Sequence, residues 1–157
     1  MIRPATSGDV ATLLALVREL ADFEREPDAV IANEATLHDA LFGSHPAAEA
    51  LVAEIAGVPV GMAIFFHNFS TWTGKRGLYL EDLYVTPTAR ASGVGTALLR
   101  YLAGLALDRD CARFEWSVLD WNTPAVDFYR AMGAQAMDGW TVQRVSGGAL
   151  AALAGRG

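Results

Sequence analysis

The sequence predicts a mixed α/β fold with a mostly antiparallel central sheet and helices on both faces. Its periodicities follow the order β, α, α, β, β, β, α, β, α, β along the chain. Three successive strands in the middle are predicted to be connected as antiparallel hairpins, and a helix then crosses over to the next strand. This order excludes an all-parallel, doubly wound sheet.

The first predicted strand, residues 2–5, leads into an amphipathic helix that ends near Phe23. Ser7 or Asp9 is expected to be its N-cap, because short polar side chains accept hydrogen bonds from the first helical N–H groups. Apolar residues recur in this helix at the spacing of one buried face. They are Val10, Leu13, Leu14, Val17 and Leu20.

Pro27 ends this helix, and a second, shorter helix is predicted over residues 33–42. Two strands follow at residues 50–55 and 60–66, joined by the tight connection A-G-V-P. Residues 67–77, H-N-F-S-T-W-T-G-K-R-G, are polar and aromatic and are predicted to form a loop. Loops on rigid scaffolds often carry function, so this loop is a candidate substrate lip.

The second half alternates strands and helices. A strand is predicted over residues 78–85 and a helix over residues 95–107. They are followed by a strand at 113–119, a helix that starts at Asn122, and a last strand at 141–145. The Ala- and Gly-rich tail after that strand is predicted to be a frayed helix.

The composition indicates one folded domain that spans residues 1–157. Apolar residues make up 52% of the chain and charged residues 19%, as in globular proteins. No repeat, linker or low-complexity block divides the sequence. The net charge of −6 argues against a nucleic-acid-binding protein, which normally presents a basic surface.

Residues that bind metals are sparse. Cys111 is the single cysteine, so an intrachain disulfide and a cysteine-based metal site are excluded. His38, His45 and His67 form no H-x-x-H or H-x-x-x-H motif, and we expect no metal. Because the sequence has no run of 18 apolar residues and no apolar leader, we expect a soluble, cytoplasmic protein without membrane contact.

An anion site is predicted where the strand at 78–85 feeds a Gly-rich turn that opens a helix. Gly93 and Gly95 let the backbone approach a ligand closely, and the first helical N–H groups and the helix dipole favour negative charge. The hypothesis is a phosphate-bearing ligand. The alternative is a simple strand-to-helix turn.

Two motifs resemble one enzyme family. R-A-S-G-V-G, residues 90–95, matches the R/Q-x-x-G-x-G/A signature of the GCN5-related N-acetyltransferases (GNAT). W-N-T-P-A-V-D-F-Y-R-A-M-G-A, residues 121–134, resembles the family's downstream N-x-P-A-x-x-F-Y-x-x-x-G stretch. Further segments, among them R-E-L-A-D-F-E, T-W-T-G-K and L-Y-L-E-D-L-Y-V, are similar to the diamine branch, which includes spermidine/spermine and thialysine acetyltransferases.

The resemblance implies a GNAT-like fold and acetyl transfer from acetyl-CoA to a primary amine by direct attack. The amine would belong to a small cationic substrate, a polyamine or a lysine-like amino acid, and relatives of this branch are homodimers. One departure is Ala91, where relatives usually have glycine. Alanine fits there unless its φ angle must be positive.

The resemblance also implies which residues hold acetyl-CoA. Backbone N–H groups from Ser92 to Thr96 would bind the pyrophosphate, and the N–H of Leu83 would polarise the thioester carbonyl. Asn122 would bind the CoA arm, although it is also a natural N-cap. The full set is Leu83, Tyr84, Val85, Arg90, Ala91, Ser92, Gly93, Val94, Gly95, Thr96 and Asn122.

Two catalytic residues are implied. Tyr129 corresponds to the general acid that reprotonates the leaving thiolate. The alternative is that Phe128 and Tyr129 have only packing roles, one in the core and the other at the surface. Glu81 corresponds to the acid that contacts the amine. Glu81 and Asp82 cannot both face the site from a regular strand, because neighbouring side chains point to opposite faces, and Glu81 is preferred.

Phe23 and Glu24 match substrate-binding positions of the branch, beside Glu81. The alternatives are core packing for Phe23 and a solvated helix end for Glu24. Trp72 and Asp138 are weaker candidates. Two other functions stay open: transfer to a protein amine or another small amine, and a non-catalytic acetyl-CoA sensor, which would need neither Glu81 nor Tyr129.

Overall fold

The computed structural model describes all 157 residues, which divide into two compact units, Met1–Leu119 and Asp120–Gly157. The first unit contains a five-stranded sheet and three helices. Its elements are β1 (Ile2–Pro4), α1 (Val10–Phe23), α2 (Glu34–Phe42), β2 (Glu49–Ile55), β3 (Val58–Ser70), β4 (Lys75–Val85), α3 (Val94–Asp108) and β5 (Phe114–Trp116). The second unit contains α4 (Thr123–Ala131) and α5 (Gly147–Leu153).

The strands lie in the order β1-β2-β3-β4-β5. The first three pairs are antiparallel, and β4 pairs with β5 in parallel after the α3 crossover. The predicted mixed, mostly antiparallel sheet is therefore confirmed.

Helices α1 and α2 cover one face of the sheet. Their buried residues Leu13, Leu16 and Leu41 pack against side chains from one face of the sheet. These sheet residues are Ala50, Val52, Met62, Ile64 and Tyr84. Because side chains alternate along a strand, the other face is left to α3, which contacts β3 and β4 and buries Leu98, Leu99 and Leu102.

Asp9 accepts hydrogen bonds that connect the first elements of the chain. It occupies the N-cap position of α1, as predicted, but its carboxylate makes no cap hydrogen bond to that helix. The carboxylate instead accepts hydrogen bonds from the Thr6 N–H at 2.7 Å and from the Arg3 guanidinium at 2.8 and 2.9 Å. Arg3 also donates to Glu54 on β2 at 2.8 Å, so one network joins β1, β2 and the entry to α1.

The predicted loop at residues 67–77 is wrong, because β3 and β4 continue as a long hairpin. His67 pairs with Leu78, and the ladder extends to Ser70 and Lys75. The pairing of β2 with β3 stops at Phe65, so this part of the hairpin lacks β2 as a neighbour. Polar side chains are therefore tolerated on both of its faces, and this polar composition led to the incorrect loop prediction.

The last predicted strand is also wrong. Residues 141–145 form no strand, and all five are exposed. The strand predicted at 113–119 is shorter than expected, since β5 covers only Phe114–Trp116. The other predicted elements are present, including the terminal helix, and none of the helices combines the length and apolar character needed to cross a bilayer.

Candidate active site

A β-bulge in β4 is the feature around which the candidate site is built. Asp82 pairs with Ile64 and Leu80 pairs with Phe65, so Glu81 has no partner on β3. An extra residue of this kind bends the strand and changes the direction of the groups that follow it.

Beyond the bulge, backbone groups of β4 lie on an open edge. The Thr86 N–H donates to the Val60 carbonyl at 2.8 Å, so by alternation Tyr84 and Asp82 also direct their backbone groups toward β3. Leu83 and Val85 must then direct theirs to the opposite side. On that side the pairing of β4 with β5 ends at Leu80, and the predicted donor, the Leu83 N–H, therefore lies on an unpaired edge.

Two neighbouring carboxylates act on Asp82 beside the bulge. Asp82 lies opposite Ile64 and so shares the sheet face that α1 covers. The pKa of Asp82 is raised to about 6, first by burial and then by the negative charges of Glu81 and Glu24. Burial also raises the pKa of Glu24, which follows the last residue of α1.

Asp82 is the residue that the sequence prediction set aside. The choice of Glu81 over Asp82 assumed a regular strand, and the bulge removes that assumption. The only signal in the sequence was the adjacent Glu-Asp pair, since a bulge is defined by the register with β3 and not by β4 alone.

The Gly-rich turn opens α3 with free donors. Gly93 has φ +84° at the N-cap, and the first helical hydrogen bond runs from the Ala97 N–H to the Gly93 carbonyl at 2.9 Å. The Ser92 N–H and its hydroxyl donate to the Ala89 carbonyl. Of the predicted donors, the N–H groups of residues 93–96 therefore remain without an internal acceptor.

Ala91 has a φ of +64°. A positive φ is unfavourable for alanine, whose Cβ atom crowds the backbone, and is readily adopted by glycine. The backbone of the turn is thus held in a left-handed conformation at Ala91 and again at Gly93. The start of α3 also lies close to β3. A Cβ atom added to Gly61 would lie 3.3 Å from Val94 and 2.9 Å from the Tyr84 carbonyl oxygen.

Arg90 contacts three parts of the first unit. Its Nε donates to the Val85 carbonyl at 3.1 Å. Its guanidinium carbon lies 5.2 Å from the ring centroid of Phe23 and 5.5 Å from that of Tyr84. Phe23 is 42% exposed at the end of α1, whereas the Tyr84 side chain is buried in the core.

Two predicted residues belong to the second unit. Asn122 is the N-cap of α4 and accepts a hydrogen bond from the Ala125 N–H at 3.4 Å, as the N-cap alternative requires. Tyr129 lies on α4, with its ring 5.5 Å from that of Phe128. Asp138 is exposed after α4.

Trp72 lies in the turn of the β3–β4 hairpin, and the guanidinium carbon of Arg113 lies 5.9 Å from the centroid of its ring. No group of three or more His, Cys, Asp or Glu side chains is placed to hold a metal ion.

Comparison with known proteins gives consistent matches. The sequence profile of the acetyltransferase (GNAT) family matches residues 13–134. The chain is 41% identical to a thialysine N-epsilon-acetyltransferase of Bos taurus, over 99% of this chain and 98% of that protein. It is 33% identical to spermidine/spermine N(1)-acetyltransferase-like protein 1 of Homo sapiens, over 91% of this chain and 22% of that protein. An integron cassette protein from the mobile metagenome of V. cholerae has the same fold, with a TM-score of 0.82, 26% identity, and coverage of 98% of this chain and 96% of that one.

Proposed function

The chain belongs to the acetyltransferase (GNAT) family, and from this premise we propose which acceptor it uses and how its residues act. It is an N-acetyltransferase, of a family that uses acetyl-CoA as co-substrate, and it transfers the acetyl group to a small cationic amine. The family inferred from the two motifs and the diamine branch inferred from the further segments are confirmed. We propose that the acceptor is a polyamine or a lysine-like amino acid.

The open edge of β4 and the start of α3 fit acetyl-CoA, which supplies the thioester carbon that the amine attacks. The N–H groups of residues 93–96 would bind the pyrophosphate, since a helix N-terminus favours anions. The free N–H and C=O groups of Leu83 and the N–H of Val85 would hydrogen-bond the pantetheine arm. The Leu83 N–H would stabilise charge on the thioester oxygen, which is worth about 3 kcal/mol.

The carboxylates provide the acceptor side. An alkylammonium has a pKa of about 10.4, so the amine must lose a proton before it attacks. We assign Glu81 as the residue that contacts the amine and takes this proton. Ionised Asp82 and Glu24 add negative charge that attracts the ammonium group, and Phe23 would pack on the aliphatic part of the substrate.

Tyr129 is proposed as the acid that returns a proton to the thiolate, and Asn122 as a ligand of the CoA arm. A phenol with a pKa of about 10 is a suitable donor to a thiolate. We propose further that the 157 residues act as one catalytic domain, which works as a homodimer in the cytoplasm.

The observation that carries the proposal is the bulge at Glu81. The bulge lies directly after Leu80, the last residue of β4 that pairs with β5, so Glu81 and Asp82 stand where the open edge of β4 begins. Acceptor and donor sites therefore meet on one short stretch of one strand.

The test is release of free thiol from acetyl-CoA with a panel of amines: spermidine, 1,5-diaminopentane, L-lysine, thialysine and a lysine-containing peptide. We expect turnover with at least one small cationic amine and little with the peptide. Turnover with the peptide alone would favour the protein-amine alternative. Binding of acetyl-CoA without turnover on any amine would favour the sensor.

A further inference from the structure

Arg90 belongs to the Gly-rich motif by sequence, but its side chain contacts other elements. The Nε–Val85 hydrogen bond occupies a backbone carbonyl on the open edge of β4. The guanidinium carbon also lies within cation–π distance of the rings of Phe23 on α1 and Tyr84 on β4. One side chain thus joins the turn before α3, the acetyl-CoA edge and the end of α1.

The end of α1 is part of the acceptor site. Phe23 is followed directly by Glu24, whose charge acts on Asp82. Movement of α1 at Phe23 would therefore move a carboxylate of the acceptor site. Movement of Arg90 would alter the turn that precedes the free N–H groups of α3.

We propose that Arg90 is a positioning residue that couples the two substrate sites, and this rests on the proposed function. When acetyl-CoA orders the turn and the β4 edge, Arg90 holds Phe23 and the end of α1 in the arrangement that binds the amine. The coupling is reciprocal, because a change at one site that alters affinity at the other acts equally in reverse. A substitution at Phe23 must therefore weaken acetyl-CoA binding, even though Phe23 belongs to the acceptor side.

The geometry requires arginine and not merely a positive charge. Only a guanidinium can donate from Nε to Val85 while its central carbon lies within cation–π distance of two rings. Lysine has one terminal ammonium group and cannot make both interactions in this arrangement. Arg90→Lys should therefore behave like Arg90→Met, which also removes the charge.

The experiment measures acetyl-CoA affinity by calorimetry for the wild type, Arg90→Met, Arg90→Lys, Phe23→Leu and the Arg90→Met/Phe23→Leu double variant. We expect Phe23→Leu to weaken acetyl-CoA binding about two- to fivefold in the wild-type background, the size of one exposed cation–π contact. In the Arg90→Met background the same substitution should have no further effect. In turnover assays, each single variant should raise the KM of the amine with a smaller change in kcat.

Two matched controls separate coupling from general damage. Arg100→Met removes the same charge from an exposed position of α3, and Phe69→Leu shortens an aromatic side chain that is 66% exposed on β3. Neither should change acetyl-CoA affinity, and thermal unfolding checks that all variants are folded.

Additive effects of the two substitutions would overturn the coupling, as would unchanged acetyl-CoA affinity in Phe23→Leu or wild-type affinity in Arg90→Lys. These outcomes leave the acetyltransferase assignment intact. A wild type that binds no acetyl-CoA would overturn both, whereas a wild type that binds it without turnover would contradict the proposed function and leave the affinity test decisive.

Discussion

Asp82 lies opposite Ile64 across the β3–β4 ladder, so its carboxyl group shares the apolar sheet face that α1 covers. That position explains why the pKa of Asp82 is raised to about 6, with burial as the largest cause. A carboxyl group that ionises near neutrality has direct consequences for activity and for stability.

For activity, kcat/KM for the amine should fall below about pH 6 as Asp82 becomes protonated and its negative charge is lost. Asp82→Asn should lower kcat/KM at pH 8 by about tenfold or more and remove the bend near pH 6. Asp108→Asn, at the exposed last position of α3, is the control. An unchanged pH profile in Asp82→Asn would remove Asp82 from the acceptor site.

For stability, the same substitution should have the opposite effect. The folded state holds the Asp82 proton up to a pKa of about 6, whereas the unfolded chain releases it near 3.8. Folding therefore becomes less favourable as pH rises through this interval. Asp82→Asn should raise the free energy of unfolding at pH 8 by at most about 3 kcal/mol, with little gain at pH 3, as urea titration at both pH values would reveal.

Glu81→Gln should lower kcat/KM for the amine about 100-fold or more while the affinity for acetyl-CoA stays within about twofold, because only the acceptor loses its base. Steady-state kinetics and calorimetry measure the two quantities. Equal turnover in the variant would show that the proton leaves by another route.

Tyr129→Phe should lower kcat about 100-fold, since the thiolate would leave without an acid, and should leave acetyl-CoA affinity almost unchanged. Rapid-mixing kinetics of thiol release provide the measurement. Tyr101→Phe, at an exposed residue of α3, controls for loss of a phenol elsewhere. Full activity of Tyr129→Phe would remove the proposed acid.

The sequence predicted most elements of the first unit because each has a strong period or a capping residue. The i, i+3, i+4 pattern of α1 is a local signal, and both α1 and α2 formed where expected. The bulge at Glu81 has no local signal, since L-Y-L-E-D-L-Y-V has the composition of a regular strand. It depends on the register with β3, a long-range property that no window on β4 contains.

The same distinction holds for the candidate site. The donors at the start of α3 follow from Gly93 and the helix that it opens, so a motif could locate them. The contact of Arg90 with Phe23 could not be predicted, because Phe23 comes from a distant part of the chain. From the sequence, alanine at position 91 is expected to fit unless its φ has to be positive. The structure shows that φ is +64°.

Ala91→Gly should raise the free energy of unfolding by up to about 1 kcal/mol, because glycine adopts φ +64° without strain. Ala97→Gly, at an exposed helical position of α3, should lower it by about 1 kcal/mol. Urea unfolding of both variants measures the pair. A loss of stability in Ala91→Gly would mean that the left-handed turn is not strained.

The central claim is that this chain acetylates a small cationic amine beside a group of carboxylates. Its most direct test is kcat/KM with acetyl-CoA for two acceptors of equal length, 1,5-diaminopentane and pentylamine, at pH 8 and low salt. The second cation of the diamine would be attracted by Glu24, Glu81 and Asp82, so the diamine should be favoured at least about tenfold, and the ratio should shrink in Glu24→Gln. Equal values for the two amines, or turnover of neither, would contradict the account.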